Sequence, residues 1–137
     1  HCAASITQTK DEHTFFPLPT WDSSGVIPEK ERVQIKQNWD EIRATMSNFV
    51  GIVRSAERLR RARRRLALIQ EEIALYYWQH PLSRNLLELR NLALLSELMI
   101  RCAQQRHESR GLHFTTDYPD QSAIAQDTIL IPQSETP

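Results

Sequence analysis

Leu59, Ala62, Leu66, Ile69, Ile73 and Tyr76 follow one another at spacings of 3, 4, 3, 4 and 3. That rhythm gathers all of them on one side of an α-helix and would scatter them over both faces of a strand. It commits the middle of the chain to a helix with one dry side, which needs a cover. Ser55 is placed to cap the start of this helix, with Glu57 in its first turn, and His80-Pro81 ends it. Upstream, Ile35, Trp39, Ile42, Met46, Phe49 and Val53 form a second stripe, spaced 4, 3, 4, 3, 4. Pro28 suits its first helical position, Glu29 and Glu31 suit its positive end, and Gly51 predicts a break at about 50–54. Downstream, Ser83 caps a third helix, expected to run to about Glu108 and to be closed by Gly111.

The second and third helices have similar expected lengths and a short connection, which favours antiparallel neighbours. The expected fold is therefore all-α, an antiparallel three-helix bundle resembling a spectrin repeat over residues 28–111. Residues 1–27 read as an extended, proline-punctuated lead-in. Residues 112–137 read as a docking arm, in which Leu112 to Pro119 forms a short strand or extended segment, followed by a mobile tail.

The third helix is more apolar than such a bundle requires. Its polar residues Arg90, Glu97, Arg101, Gln104 and Glu108 make a narrow stripe, spaced 7, 4, 3, 4. Leucines, Met99, Ile100 and Cys102 occupy the remaining circumference. This predicts that another protein surface packs there, either a further domain of the same polypeptide or a second subunit.

Composition excludes several functions. The chain has 137 residues, enough for one core, and 17 basic residues balance 17 acidic ones. Its three glycines, Gly25, Gly51 and Gly111, lie 26 and 60 residues apart, so no glycine-rich phosphate cradle exists. No apolar run reaches the ~18 residues of a membrane span, and no basic region followed by an apolar run marks a secretory leader. Cys2 and Cys102 form no disulfide framework and read as free thiols of a cytoplasmic protein.

Arg54, Arg58, Arg60, Arg61, Arg63, Arg64 and Arg65, less Glu57, give a local charge of +6. A nucleic-acid site would use such a run. The neutral total charge and the lack of interleaved aromatics favour a solvated face, or a face opposite acidic groups of a partner. Cys102, His107 and His113 cluster loosely without zinc spacing. The adjacent Glu71 and Glu72 point in different directions on a helix and form no carboxylate pair. Glu57–Arg61 and Glu97–Arg101 have the order of i,i+4 ion pairs. No catalytic, cofactor-binding or metal-binding residue is assigned.

The remaining motif runs from Arg106 to Pro119. Gly111 should reverse the chain there, and Arg110, His113 and Asp117 should tie the arm down by charge-assisted bonds. Glu108-Ser109-Arg110-Gly111-x-His113 resembles the C-terminal region of the succinate dehydrogenase and fumarate reductase flavoprotein family. Leu112 and Phe114 to Pro119 look most like its L-aspartate oxidase branch. Leu18 to Asp22, Asn48 to Arg54 and Asn85 to Asn91 agree with this. The resemblance covers about residues 15–120.

What the resemblance implies is a parent flavoenzyme. It would use FAD to oxidise L-aspartate to iminoaspartate in NAD biosynthesis and pass its product towards quinolinate synthase. The FAD and capping domains of such a polypeptide precede the matched region, so no family catalytic residue falls on this chain. No cofactor is expected in the chain by itself, which would be inactive, and His1 would be the start of a C-terminal fragment. Glu108, Arg110, Gly111, His113 and Asp117 are the expected structural, domain-docking motif. Neither nucleic acid nor membrane is an expected partner. The same domain of a succinate dehydrogenase or fumarate reductase flavoprotein, and a basic nucleic-acid-binding module, are the alternatives.

Overall fold

The computed structural model describes Thr20 and residues 33–131. The rest of the lead-in, the expected helix start at Pro28, Cys2 and residues 132–137 lie outside the described residues. Three helices dominate: α1 (Val33–Phe49), α2 (Ala56–Gln79) and α3 (Arg84–Gln105). Two short strands accompany them, β1 (Val53–Arg54) after α1 and β2 (Phe114–Thr115) beyond α3.

The helix starts are where the caps place them. Ser55 Oγ accepts from Arg58 N at 3.2 Å and Ser83 Oγ from Leu86 N at 3.3 Å, each satisfying an amide that the first turn leaves unpaired. At the end of α2, His80 N–H donates to the Tyr76 carbonyl before Pro81 stops the helix.

The dry side of α2 is buried as its spacing requires, with Leu59, Ala62, Leu66, Ile69 and Ile73 in the core. From α3 come Leu86, Leu89, Ala93, Ser96, Ile100 and Ala103, and from α1 Ile35 and Ile42. Trp39, Met46 and Phe49 pack at the edge of this core. The α1 stripe ends sooner than its spacing predicts. Val53 is 48% exposed because it has left the helix for β1, while Val50 turns inward. Contacts between α2 and α3 step in opposite senses along the two helices. Gln70 Nε2 donates to Glu97 Oε2 at 3.0 Å, and two turns further along α2 Arg90 Nη1 reaches the Tyr77 hydroxyl at 3.3 Å.

The third helix ends at Gln105. Arg106 is extended (φ −87°, ψ 102°), so Glu108 is not part of the helical polar stripe and Gly111 does not close the helix. Gly111, with φ 58°, instead makes a turn in which Arg110 and His113 exchange backbone hydrogen bonds of 2.9 and 3.1 Å. A positive φ at the first central residue alone is the type II′ sign pattern, which suits glycine. The following β2 pairs in parallel with β1, in register Val53↔Phe114 and Arg54↔Thr115. Parallel neighbours need a long crossover, which α2 and α3 supply.

The core predicts a simple contrast. Leu66 is 1% exposed and Leu68 is 63% exposed on the same helix. Leu66→Ala is expected to cost about 2–5 kcal/mol by urea unfolding, and Leu68→Ala to stay within about 0.5 kcal/mol.

Candidate domain-docking site

The residues singled out between Arg106 and Asp117 meet where α3 ends, beside the α1–α2 connection. Glu108 is the centre. It is 6% exposed, and a carboxylate can leave water only if its oxygens are paired. Oε1 receives Arg106 Nη1 at 3.2 Å, and Oε2 receives Arg110 Nε at 3.0 Å and the Ser122 backbone N–H at 3.0 Å. The Ser122 N–H and then the Arg110 and Arg106 guanidiniums hold the carboxyl below the usual carboxylate range, against the opposing effect of burial.

The same two guanidiniums tie down the following segment. Arg110 Nη2 donates to the Ser122 carbonyl at 2.8 Å, and Arg106 donates to the Gln126 carbonyl at 3.0 Å and to Thr128 Oγ1 at 3.3 Å. The segment 120–131 is therefore held at Asp120, Ser122, Gln126 and Thr128 although it forms no helix or strand. Ser109 adds a buried contact: its Oγ donates to the Tyr118 carbonyl at 2.7 Å and accepts from Thr115 N at 2.9 Å.

Asp117 and His113 join this arm to the helices. Asp117 Oδ2 accepts from Ala56 N at 2.5 Å, placing negative charge at the positive end of α2. His113 Nδ1 lies 2.6 Å from Arg54 Nη1 and so accepts, which leaves the ring proton on Nε2. Arg54 Nε also donates to the Gly51 carbonyl at 2.8 Å and to Val50 at 3.3 Å. Burial, and next the Arg54 charge, push the imidazole below its ordinary range. The nearby Arg106 carbonyl and Glu108 pull the other way, and the Arg106 charge adds to the lowering.

Of the expected motif, Glu108 and Arg110 are bonded directly, Gly111 turns the chain, and His113 and Asp117 reach different points of the α1–α2 connection. Arg54 and Arg106 are the partners that spacing did not single out. Arg54 read as part of the arginine run, although it also closes the family-like stretch from Asn48. That run divides by task. Arg58 donates to the Val53 carbonyl, Arg61 pairs with Glu57 at 3.1 Å, and Arg61 and Arg65 lie over the Phe49 ring. Cys102, His107 and His113 do not converge, and among the described residues no group of three His, Cys, Asp or Glu could hold a metal. His107 instead stacks on Tyr118.

Residues 39–134 match the family described as "Fumarate reductase flavoprotein C-term". The chain belongs to this family. Similar curated proteins include the L-aspartate oxidase of Acinetobacter baylyi, 51% identical over 95% of this chain and 24% of that protein. That of Pseudomonas aeruginosa is 55% identical over 84% of the chain and 21% of the protein, and that of Vibrio cholerae 53% over 85% and 22%. The chain thus spans about a quarter of the length of these relatives. The matched region of this family member contains the whole knot around Glu108.

Two outcomes follow from the knot. Glu108→Gln leaves Arg106 and Arg110 without their carboxylate, and is expected to lower Tm and to speed limited proteolysis between residues 120 and 131, read by mass spectrometry. Acid should act in two stages. His113 is depressed from an ordinary value of 6.5, so the unfolded chain takes up its proton first and stability falls as pH drops below that value. Glu108 is depressed from 4.5, so its contribution is complete above 4.5 and is lost as pH falls through the lower folded value. Thermal melts from pH 8 to 3 should show both stages, with His113→Gln removing only the first.

Proposed function

We propose that this chain is the C-terminal helical domain of an FAD-dependent L-aspartate oxidase, and that its part in that enzyme is structural. The observation that carries the reading is 51–55% identity to L-aspartate oxidases along 84–95% of the chain. In this reading the whole protein converts L-aspartate to iminoaspartate for NAD biosynthesis, in the cytoplasm, and quinolinate synthase consumes the product. No helix among the described residues is long and apolar enough to cross a membrane.

The flavin would sit outside the described residues. A dinucleotide needs clustered backbone N–H groups at close approach. Gly111 is shaped by its turn, and a Cβ there would meet nothing within 4 Å; at Gly51 it would meet the Ser47 carbonyl of α1's last turn at 3.2 Å. Neither position fits a ligand cradle, so no chemical step is assigned to this chain. Its residues hold shape. Glu108 and Arg110 brace the arm, Gly111 turns it, and His113 and Asp117 fasten it to the α1–α2 connection. Together these five would present a fixed surface to the FAD and capping domains of the same polypeptide.

The succinate-oxidising alternative loses support because the similar proteins above are L-aspartate oxidases. The nucleic-acid alternative loses support because Arg54, Arg58, Arg61 and Arg65 already have intramolecular tasks. Assaying the full-length gene product separates these readings. Purified yellow protein should form peroxide with L-aspartate and not oxidise succinate; oxidation of succinate alone would overturn the assignment. This chain expressed by itself should carry no flavin, and stoichiometric flavin bound to it would overturn the structural role.

A further inference from the structure

The outer face of α2 repeats the rhythm of its buried face. Two residues after each member of the stripe from Leu59 to Tyr76 stand Arg61, Arg64, Leu68, Glu71, Leu75 and Trp78, again spaced 3, 4, 3, 4 and 3. Two residues turn about 200° around a helix, so this second stripe lies opposite the core. Leu68 is 63%, Leu75 65% and Trp78 81% exposed. Large apolar side chains on such a seam mark a protein-contact surface, and the spacing suits another helix.

The charges around Leu68 say which helix. Its neighbours on the helix surface, three and four positions away, are Arg64 and Arg65 on one side and Glu71 and Glu72 on the other. None of these four has an opposite charge at i±3 or i±4. Arg64 and Glu71, like Arg65 and Glu72, stand seven residues apart, about 10 Å along the axis and too far to pair within one helix. Among the described residues none of the four forms an ion pair. Arg65 lies over the Phe49 ring, a contact that uses none of its N–H groups. An acidic partner would suit the arginines and repel the glutamates, and a basic one would do the reverse. An apolar cover would bury four unpaired charges.

We propose that the outer face of α2 binds a second copy of the same protein, the two α2 helices packing antiparallel about a two-fold axis beside Leu68. That axis sets Leu68 against Leu68 and turns the basic side of each helix over the acidic side of the other. Arg64 then meets Glu71 of the second copy and Arg65 meets Glu72, and symmetry forms each pair twice. Leu75 falls on the aliphatic stem of Arg61, and Trp78 comes towards Arg60. A parallel pair would set arginine against arginine and glutamate against glutamate, so the charges that favour the antiparallel dimer also exclude the parallel one. One helix pair buries less area than a permanent interface, so the dimer is reversible.

The test is sedimentation of the full-length protein over a concentration series through the micromolar range. The unaltered protein should pass from monomer to dimer. Two double variants reverse one sign each: Arg64→Glu with Arg65→Glu, and Glu71→Arg with Glu72→Arg. Each should weaken self-association about a hundredfold, because every ion pair becomes a like-charge pair. Mixing the two should restore a dimer containing one copy of each, which also shows that both are folded. Leu68→Cys should form a disulfide between copies, and mass spectrometry should find residue 68 linked to residue 68. A monomer at every concentration, a dimer indifferent to both reversals, no association on mixing, or no link through residue 68 would each overturn the proposal. The readouts are molecular and peptide masses, so they stand whichever substrate the protein oxidises.

Discussion

The end of the bundle depends on one buried carboxylate. Glu108 could not leave water unpaired, and its partners come from both sides in sequence: Arg106 and Arg110 next to it, and the Ser122 N–H from further along. Satisfying Glu108 therefore fixes the path of the chain after α3. The guanidiniums it neutralises have N–H groups to spare, and these hold the Ser122 and Gln126 carbonyls. A segment whose Ile124, Ile129 and Ile131 stay outside the core is thereby held through charge-assisted bonds.

The second half of the architecture is the link from this arm back to the α1–α2 connection. Two residues of parallel ladder would be marginal by themselves. Here they are flanked by Asp117 on the first amide of α2 and by His113 on Arg54. The arm closes across the ends of two helices, so its stability and theirs are coupled through polar contacts as well as through the core.

The third helix serves two surfaces. Leu86, Leu89, Ala93, Ile100 and Ala103 complete the bundle, while Leu94, Leu95, Leu98 and Met99 remain outside it. This family member spans about a quarter of its relatives' length, and the exposed residues of α3 form the kind of apolar face that marks a protein-contact surface.

The helices were legible in the sequence because a 3.6-residue period, capping serines and a proline act locally. The stripe from Leu59 to Ile73, the starts at Ser55 and Ser83 and the excess of apolar surface on α3 all follow from neighbours a few residues apart. So does the family, whose motif around Glu108-Ser109-Arg110-Gly111 is written contiguously. The tertiary structure decided what no local rule contains. It ended α3 at Gln105, took Glu108 from a helix face into a buried ion cluster, moved Gly111 from a helix cap to a turn, and drew Arg54 out of an arginine run to meet His113 across 59 residues. The physical reason is the range of the interactions. Periodicity fixes which side of a helix is dry, whereas the partner of a buried charge is chosen by the packed chain, from whatever groups it brings within about 3 Å.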